Sequence, residues 1–412
     1  MRILYNIGIA FYGLGVRIAA LFGGKARLMV EGWRDSYSIA AEKRATAWFH
    51  VSSLGEFEQA RPVMEKFRVQ HPDWRIVLTF FSPSGYEVRK NYPGADVIKY
   101  LPLDTPHNAL RMVEAINPNV AFFVKYDFWF NCLNVLRKRG IPTYIFSAIF
   151  RPQQYFFSWY GGWFLKQLKV CFKHIFVQDE ASLNLLKSHG LSNISRAGDT
   201  RFDRVADIAA QAAEFPLVEG FASGLGRVLV AGSSWEPDEE YIARYVESNQ
   251  GSMGIILAPH VISDKHLKFI EELFGPSNCI RYSELEKNVS CNGRKVLVID
   301  NYGMLSSLYR YAQVAYIGGG WGRGIHNLLE AVTWGKPVVF GPNYRKFKEA
   351  HDLIARKGGF TYSTFEELDS HLSRLLDDDK SYAEASGNCC AYISENTGVT
   401  DIVLNHIKED LL

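Results

Sequence analysis

The segment HVSSLGEFEQARPVMEKF, residues 50–67, places a glutamate just inside a turn that follows an apolar run. Ser53 and Glu56 have the S-x-x-E spacing of a helix capping box, in which the carboxylate reaches back to the cap residue's own N–H. A second reading competes with this one. Gly55 is a poor helix former and leaves room beside the carboxylate, so Glu56 could instead take a proton from a bound hydroxyl. A carboxylate near a helix N-terminus keeps its charge at neutral pH because the dipole favours it, which predicts a weak base.

A denser signal lies downstream, in VAYIGGGWGRGIHNLLEAVTWGKPVVFGPN, residues 314–343. It reads as strand, glycine loop, helix and second strand. Gly318, Gly319, Gly320, Gly322 and Gly324 would let a ligand approach the backbone, and a helix opening near His326 would offer free N–H groups to a phosphate. Glu330, one turn further on, could accept hydrogen bonds from ribose hydroxyls. The alternative is a tight strand-to-helix connection with no ligand. The G-x-G-x-x-G fingerprint fails in every frame, which argues against a dinucleotide-dependent oxidoreductase.

These residues need elements to hold them. From Trp48 onward, short runs rich in β-branched and aromatic residues (WFHVSS, IVLTFFS, VIKYLPLD, NVAFFVKY, TYIFSAIF, HIFVQD) alternate with helical-period segments. Being apolar on both faces, they read as buried parallel strands. After AGDTRFDRV comes an Ala-rich crossover, and the alternation restarts with RVLVAGSS, GIILAPH, KVLVIDN, VAYIGGG and PVVFGPN. The expectation is two doubly wound α/β domains with a boundary near 204–226, ligands lying outside the carboxyl ends of the strands. Two facing domains would bring these loops to one cleft.

At 412 residues the chain suits two cores. Lys+Arg 46 against Asp+Glu 44 leaves a formal charge of +2, too small for a nucleic-acid binder. The six cysteines show no CxxC spacing and read as buried thiols of a reducing compartment. Residues 1–24 read as an amphipathic helix with Ile3, Ile7, Phe11, Leu14, Ile18 and Phe22 on one stripe and Arg2, Asn6 and Arg17 on another face. That pattern suits a helix lying in a membrane interface; a core helix is the alternative, and a cleaved signal peptide is disfavoured by the lack of a small-x-small site.

HVSSLGE, AGDTRFD, AGSSWEPDEE, LAPH, GMLSSLYRYAQVAYIGGG and GIHNLLEAVTWGKPVVFGPN, in this order and spacing, resemble the 3-deoxy-D-manno-octulosonic acid (Kdo) transferases, and the resemblance spans essentially the whole chain. It implies an α/β protein of the GT-B glycosyltransferase fold, two Rossmann-like domains facing a cleft. The implied reaction is inverting transfer of Kdo from CMP-Kdo to the lipid A precursor (lipid IVA) in lipopolysaccharide synthesis, at the cytoplasmic face of the inner membrane, with no cofactor or metal. The implied layout is a membrane-associated segment 1–30, an acceptor domain 31–203, a linker 204–226, a CMP-sugar domain 227–385 and a C-terminal helical segment 386–412 packing back on the first domain. Matched residue by residue, the resemblance makes Glu56 the base and Asp127 a second acid, with Lys125 standing where relatives carry another acid. Arg201 stands where a lysine would steady the departing charge. Around the nucleotide it points to Pro259 and His260, to Gly303, Met304 and Leu305, and to Asn327, Leu328, Leu329 and Glu330; His260 replaces an arginine, and the expectation is that Arg323, which is not part of the family pattern, compensates for it. Arg61, Lys125, Arg151 and Arg201 are candidate cations for the sugar carboxylate and acceptor phosphates, and Lys166, Lys169 and Lys173 suit either a lipid headgroup or a solvated helix edge. The rivals are another GT-B nucleotide-sugar transferase or epimerase, and a catalytically silent membrane-bound nucleotide-sugar-binding protein.

Overall fold

The computed structural model describes residues 1–249, 253–287, 289–291 and 293–411. It resolves into two units, Met1–Arg204 with Asn396–Leu412, and Val205–Glu395. Each is built on a parallel seven-stranded sheet.

In the first unit the strands are β1 (Thr46–Val51), β2 (Arg75–Phe80), β3 (Val97–Tyr100), β4 (Val120–Val124), β5 (Thr143–Ala148), β6 (His174–Val177) and β7 (Ile194–Arg196), in the order β3-β2-β1-β4-β5-β6-β7. The apolar character on both faces has a direct cause. Trp48 packs with Val77 and Phe123 on one side of the sheet, while Ala47 and Phe49 pack with Phe67 and Phe122 on the other. In register, Trp48 pairs with Val77 of β2 and Ala121 of β4. The order reverses between β1 and β4, and the loops leaving those two strands meet there.

The second unit repeats the plan with β8 (Arg227–Ser234), β9 (Met253–Pro259), β10 (Cys279–Arg281), β11 (Val296–Val298), β12 (Val314–Ile317), β13 (Val338–Phe340) and β14 (Gly359–Thr361), in the order β10-β11-β9-β8-β12-β13-β14. Its reversal lies between β8 and β12. The loops after β8 and β12 are therefore the ones brought together.

The 204–226 stretch is largely helical, in Arg201–Ala210 and Pro216–Ser223, and the boundary falls inside the first of these. The C-terminal segment divides at Asn396. The helix Asp379–Asn396 buries Ala385 and Cys389 in the second unit, with the Cys389 thiol donating to the Gly358 carbonyl. The helix Val399–Ile407 buries Val403, Leu404 and Ile407 against the first, where the Asp203 carboxylate accepts the N–H groups of Gly398 and Thr400 at 2.6 Å each. All six cysteines are free, but Cys390 is exposed and Cys291 half-buried, so the buried-thiol expectation holds for four.

The N-terminal stretch forms one helix, α1 (Arg2–Ala20), followed by α2 (Gly24–Arg34). Within α1 only Gly13 is buried, 2.4 Å from Leu103 when given a Cβ, so the helix docks through a small residue. Tyr5 donates to Asp104 at 2.6 Å and Asn131 to Asn6 at 2.8 Å. The stripe Ile3, Ile7, Phe11, Leu14, Ile18 and Phe22 points outward, every member between 46% and 87% exposed. This overturns the core-helix alternative. By length and composition alone, α1 could also cross a membrane.

Candidate active site

β1 runs into Ser52 and Ser53, and α3 (Leu54–Gln70) begins immediately after. The capping box is formed: Glu56 N–H donates to Ser53 Oγ at 3.4 Å, and Glu56 Oε2 accepts Ser53 N–H at 3.0 Å and Ser52 N–H at 2.6 Å. Both backbone donors go to one oxygen, so capping occupies half of the carboxylate. Asp127, from the loop after β4, packs beside it and accepts from Ser52 Oγ at 2.7 Å.

Both carboxyl groups are buried, Glu56 at 5% and Asp127 at 7% exposure. Burial raises the Glu56 pKa, against the opposing pull of the Ser52 N–H, Asp127 and the Lys125 ammonium. Burial and the Glu56 charge push Asp127 well above the usual carboxylate range. The weak-base expectation is therefore corrected, because desolvation outweighs the helix dipole at this depth. Of the pair, Asp127 is the more strongly raised and so the more readily protonated. Burial pushes His50 down to about 3, so it is neutral. His50 Nδ1 shares a hydrogen bond with the Thr79 hydroxyl at 2.8 Å; its Nε2 faces Asp127 Oδ2 at 3.7 Å, too far for a hydrogen bond, and neither of these two atoms has a partner among the described residues.

Lys125 adopts φ 64, an unusual left-handed conformation for a non-glycine residue at a strand end. Arg201 opens the Arg201–Ala210 helix, gripped by Asp199 through Nε at 2.9 Å and through its own N–H at 3.0 Å. Gln59, one turn along α3 from Glu56, donates to the same Asp199 at 3.0 Å. The Thr200 hydroxyl donates to the Gln59 carbonyl at 2.6 Å. Glu56 and Asp127 are thus in direct company, and Arg201 is joined to α3 through Asp199 and Gln59. Of these connections, only the acid two positions before Arg201 left a trace in the sequence.

In the second unit a cavity of about 690 Å³ lies over the reversal point, among Trp235, His260, Gly319, Trp321, Arg323 and His326. Asp238 organises it from beneath, accepting Trp235 N–H at 3.0 Å, Gly319 N–H at 2.9 Å and Tyr316 OH at 2.8 Å. The ring of His260 stacks between Trp235, with centroids 4.7 Å apart, and His326 at 4.4 Å. Trp235 Nε1–H donates to His326 Nε2 at 3.3 Å; burial, and then His260, lower the His326 pKa, which keeps it neutral. Arg323 has no carboxylate partner among the described residues. Flat rings for stacking, a guanidinium and a pocket of this size suit a nucleotide.

Two sequence expectations change here. No helix opens at His326: residues 324–328 are irregular, and the helix that follows is the single turn Leu329–Val332. Gly324 at φ 136 and two backbone bonds, Ile325 N–H to Asn343 O at 3.3 Å and His326 N–H to Gly318 O at 3.1 Å, hold the run in that path. The glycines also divide. A Cβ on Gly318 would lie 2.2 Å from Ser233 O and one on Gly320 2.6 Å from Gly341 Cα, so these two serve loop-to-loop packing, while Gly319, Gly322 and Gly324 line the cavity.

The other substrate-binding candidates are not among the residues that line this cavity. Pro259 pairs with Ser234 at the end of β9. Gly303 is exposed at φ 97, Met304 is buried and Leu305 approaches β8 at Gly232. Leu328 and Leu329 side chains are in the core, and exposed Asn327 donates to Glu330 Oε1 at 2.9 Å. Sequence reasoning missed Asp238 and Trp321. Asp238 did leave a signal, an acid at the third helical position of Trp235-Glu-Pro-Asp.

Residues 31–204 match the family model of the 3-deoxy-D-manno-octulosonic-acid transferases (kdotransferases). The chain is 27% identical over 340 residues, 81% of its length and 86% of the relative's, to the 3-deoxy-D-manno-octulosonic acid transferase of Aquifex aeolicus. It is 26% identical to that of Chlamydophila psittaci, over 76% of this chain and 73% of the relative. In structure it resembles a crystal structure described as a putative UDP-N-acetylglucosamine 2-epimerase from Listeria monocytogenes, at 13% identity and TM-score 0.61, over 89% of this chain and 97% of the other. That likeness bears on the fold alone, which is GT-B. Over residues 31–204 the chain is similar to the 3-deoxy-D-manno-octulosonic-acid transferases, and it is a glycosyltransferase.

Proposed function

We propose that the protein transfers Kdo from CMP-Kdo to a hydroxyl of the lipid A precursor (lipid IVA), with inversion, in lipopolysaccharide synthesis. The observation that carries this reading is the buried Glu56–Asp127 pair at the sheet reversal of the kdotransferase family domain. Glu56 takes the acceptor proton as the C–O bond forms, and the protonated Asp127 keeps the shared proton off it. A Glu56 raised by burial is a stronger base than a surface carboxylate.

The anomeric centre passes through an oxocarbenium-like state whose departing charge falls on the CMP phosphate. Arg323 and His260, both on the second unit, are the groups we assign to that charge. The base of CMP takes the Trp235–His260–His326 stack. No step requires a metal or cofactor. The outward stripe of α1 lies in the membrane interface, the cytoplasmic face of the inner membrane being where donor and acceptor coexist. Docking by Tyr5 and Asn6 favours lying over spanning, since crossing would strip these bonds.

The test is direct. CMP-Kdo with a tetraacylated acceptor should yield a Kdo-extended product of inverted anomeric configuration, and CMP should bind more tightly than UMP. Arg323→Ala should weaken CMP binding about tenfold through loss of one charge-assisted contact. No product, or equal CMP and UMP affinity with an indifferent Arg323→Ala protein, would refute the proposal.

A further inference from the structure

A second, smaller cavity of about 310 Å³ lies beside the first turn of α1. Its walls come from one face of the Phe130–Lys138 helix, through Phe130, Asn134 and Arg137, and one face of the Gly162–Cys171 helix, through Trp163 and Lys166. Arg2 of α1 completes it. The lining contains three cations and no carboxylate. Among the described residues none of Arg2, Arg137 and Lys166 has a carboxylate partner; Arg137 donates only to the neutral Asn134, at 3.2 Å, and approaches the Cys171 thiol. The nearby lysines differ: Lys169 donates to the Gly190 carbonyl at 2.9 Å and Lys173 pairs with Asp410. The uncompensated charge is thus concentrated in one hollow.

The surroundings identify the anion. One wall is aromatic, Phe130 against Trp163 with centroids 5.4 Å apart. The next residues along α1, Ile3 and Leu4, are 75% and 61% exposed, and Ile3 begins the outward apolar stripe. A free phosphate would have no use for that apolar border, whereas a lipid brings phosphate and hydrocarbon together. We infer that this cavity binds the headgroup phosphate of an anionic membrane phospholipid, whose acyl chains follow the α1 stripe. The inference rests on α1 facing a membrane and is independent of the sugar transferred.

The experiment is sedimentation of the full chain with vesicles of phosphatidylcholine alone or with phosphatidylglycerol. Wild type should prefer the anionic vesicles by at least about tenfold, as expected for several cations meeting anionic lipid. Arg137→Ala with Lys166→Ala, both exposed side chains, should abolish the preference and keep the weaker binding to neutral vesicles. Asn134→Asp, which places a negative charge in the hollow, should do the same. A charge-matched control, Lys187→Ala with Lys380→Ala, should lose less than about twofold. Equal binding of wild type to both vesicles, or equal losses in cavity and control variants, would overturn the site while leaving α1 as a membrane helix. Binding to neither vesicle would remove the membrane reading itself. Transfer to a detergent-dispersed acceptor by Arg137→Ala and Asn134→Asp should match wild type; a fall there would assign the cavity to the acceptor instead. Competition by millimolar inorganic phosphate as strong as that by phosphatidylglycerol would likewise overturn the lipid assignment.

Discussion

Replacing Asp238 by alanine tests whether one buried carboxylate holds the nucleotide loops together. It is fully buried and accepts three donors: Trp235 N–H after β8, Gly319 N–H after β12 and the Tyr316 hydroxyl within β12. Each donor left unsatisfied in the interior costs about 1–3 kcal/mol, so three would cost roughly 3–9. Relief of the carboxylate's own desolvation, which raises its pKa, offsets part of this. A net loss of about 3 kcal/mol follows for Asp238→Ala. For a unit the size of Val205–Glu395 that lowers the melting temperature by about 6–12 °C. Hydrogen exchange should locate the loosening at residues 233–236 and 318–324, and CMP affinity should fall at any temperature where the variant is folded. A melting temperature within about 1 °C of wild type, with CMP binding unchanged, would refute the assignment.

Gly320→Ala should cost several kcal/mol, about 3 or more, in thermal unfolding, since its Cβ would sit 2.6 Å from Gly341 Cα and backbone must move; Gly322→Ala, with 3.8 Å to its nearest neighbour, should be nearly neutral. Asp127→Asn should raise stability at neutral pH by about 1–3 kcal/mol in denaturant titration. Its raised native pKa means the Asp127 contribution is full below the unfolded value and lost as pH rises through the native one, so the substitution should also flatten that slope. Arg201→Ala should act in the opposite window. Burial alone would raise Asp199, but Arg201 and the Gln59 amide hold it below the usual range, giving stability above the unfolded pKa that is lost as pH falls through the native value. Without Arg201 the neutral-pH stability should drop by about 2 kcal/mol, with a shallower acid limb.

The strands were legible because a parallel sheet covered on both faces must be apolar on both, and runs such as Trp48–Ser53 and Val314–Gly320 carry that mark. The α1 stripe was legible for a similar reason, since periodicity alone separates Ile3, Ile7 and Phe11 from Arg2 and Asn6. Glu56 was posed as cap or base, whereas one oxygen accepts both capping N–H groups and burial beside Asp127 raises the pKa of the carboxyl. That burial depends on which loops meet at the β1/β4 reversal, a property of strand order that no local window contains. The same limit explains the glycine loop: Gly320 is required by Gly341, a partner twenty-one residues away that local spacing could not supply. It also explains the absent helix at His326, overridden by Asn343 and Gly318.

Glu56→Gln separates cap from base most cleanly, because glutamine preserves a capping box and cannot accept the proton. In single-turnover transfer of Kdo from CMP-Kdo to the acylated acceptor, the variant should be folded, bind CMP as wild type does, and react about 10²–10⁴-fold more slowly. Wild-type rates should climb through a pKa above the ordinary glutamate value, as burial dictates. Transfer by Glu56→Gln within a few-fold of the wild-type rate would show that this carboxylate only caps its helix.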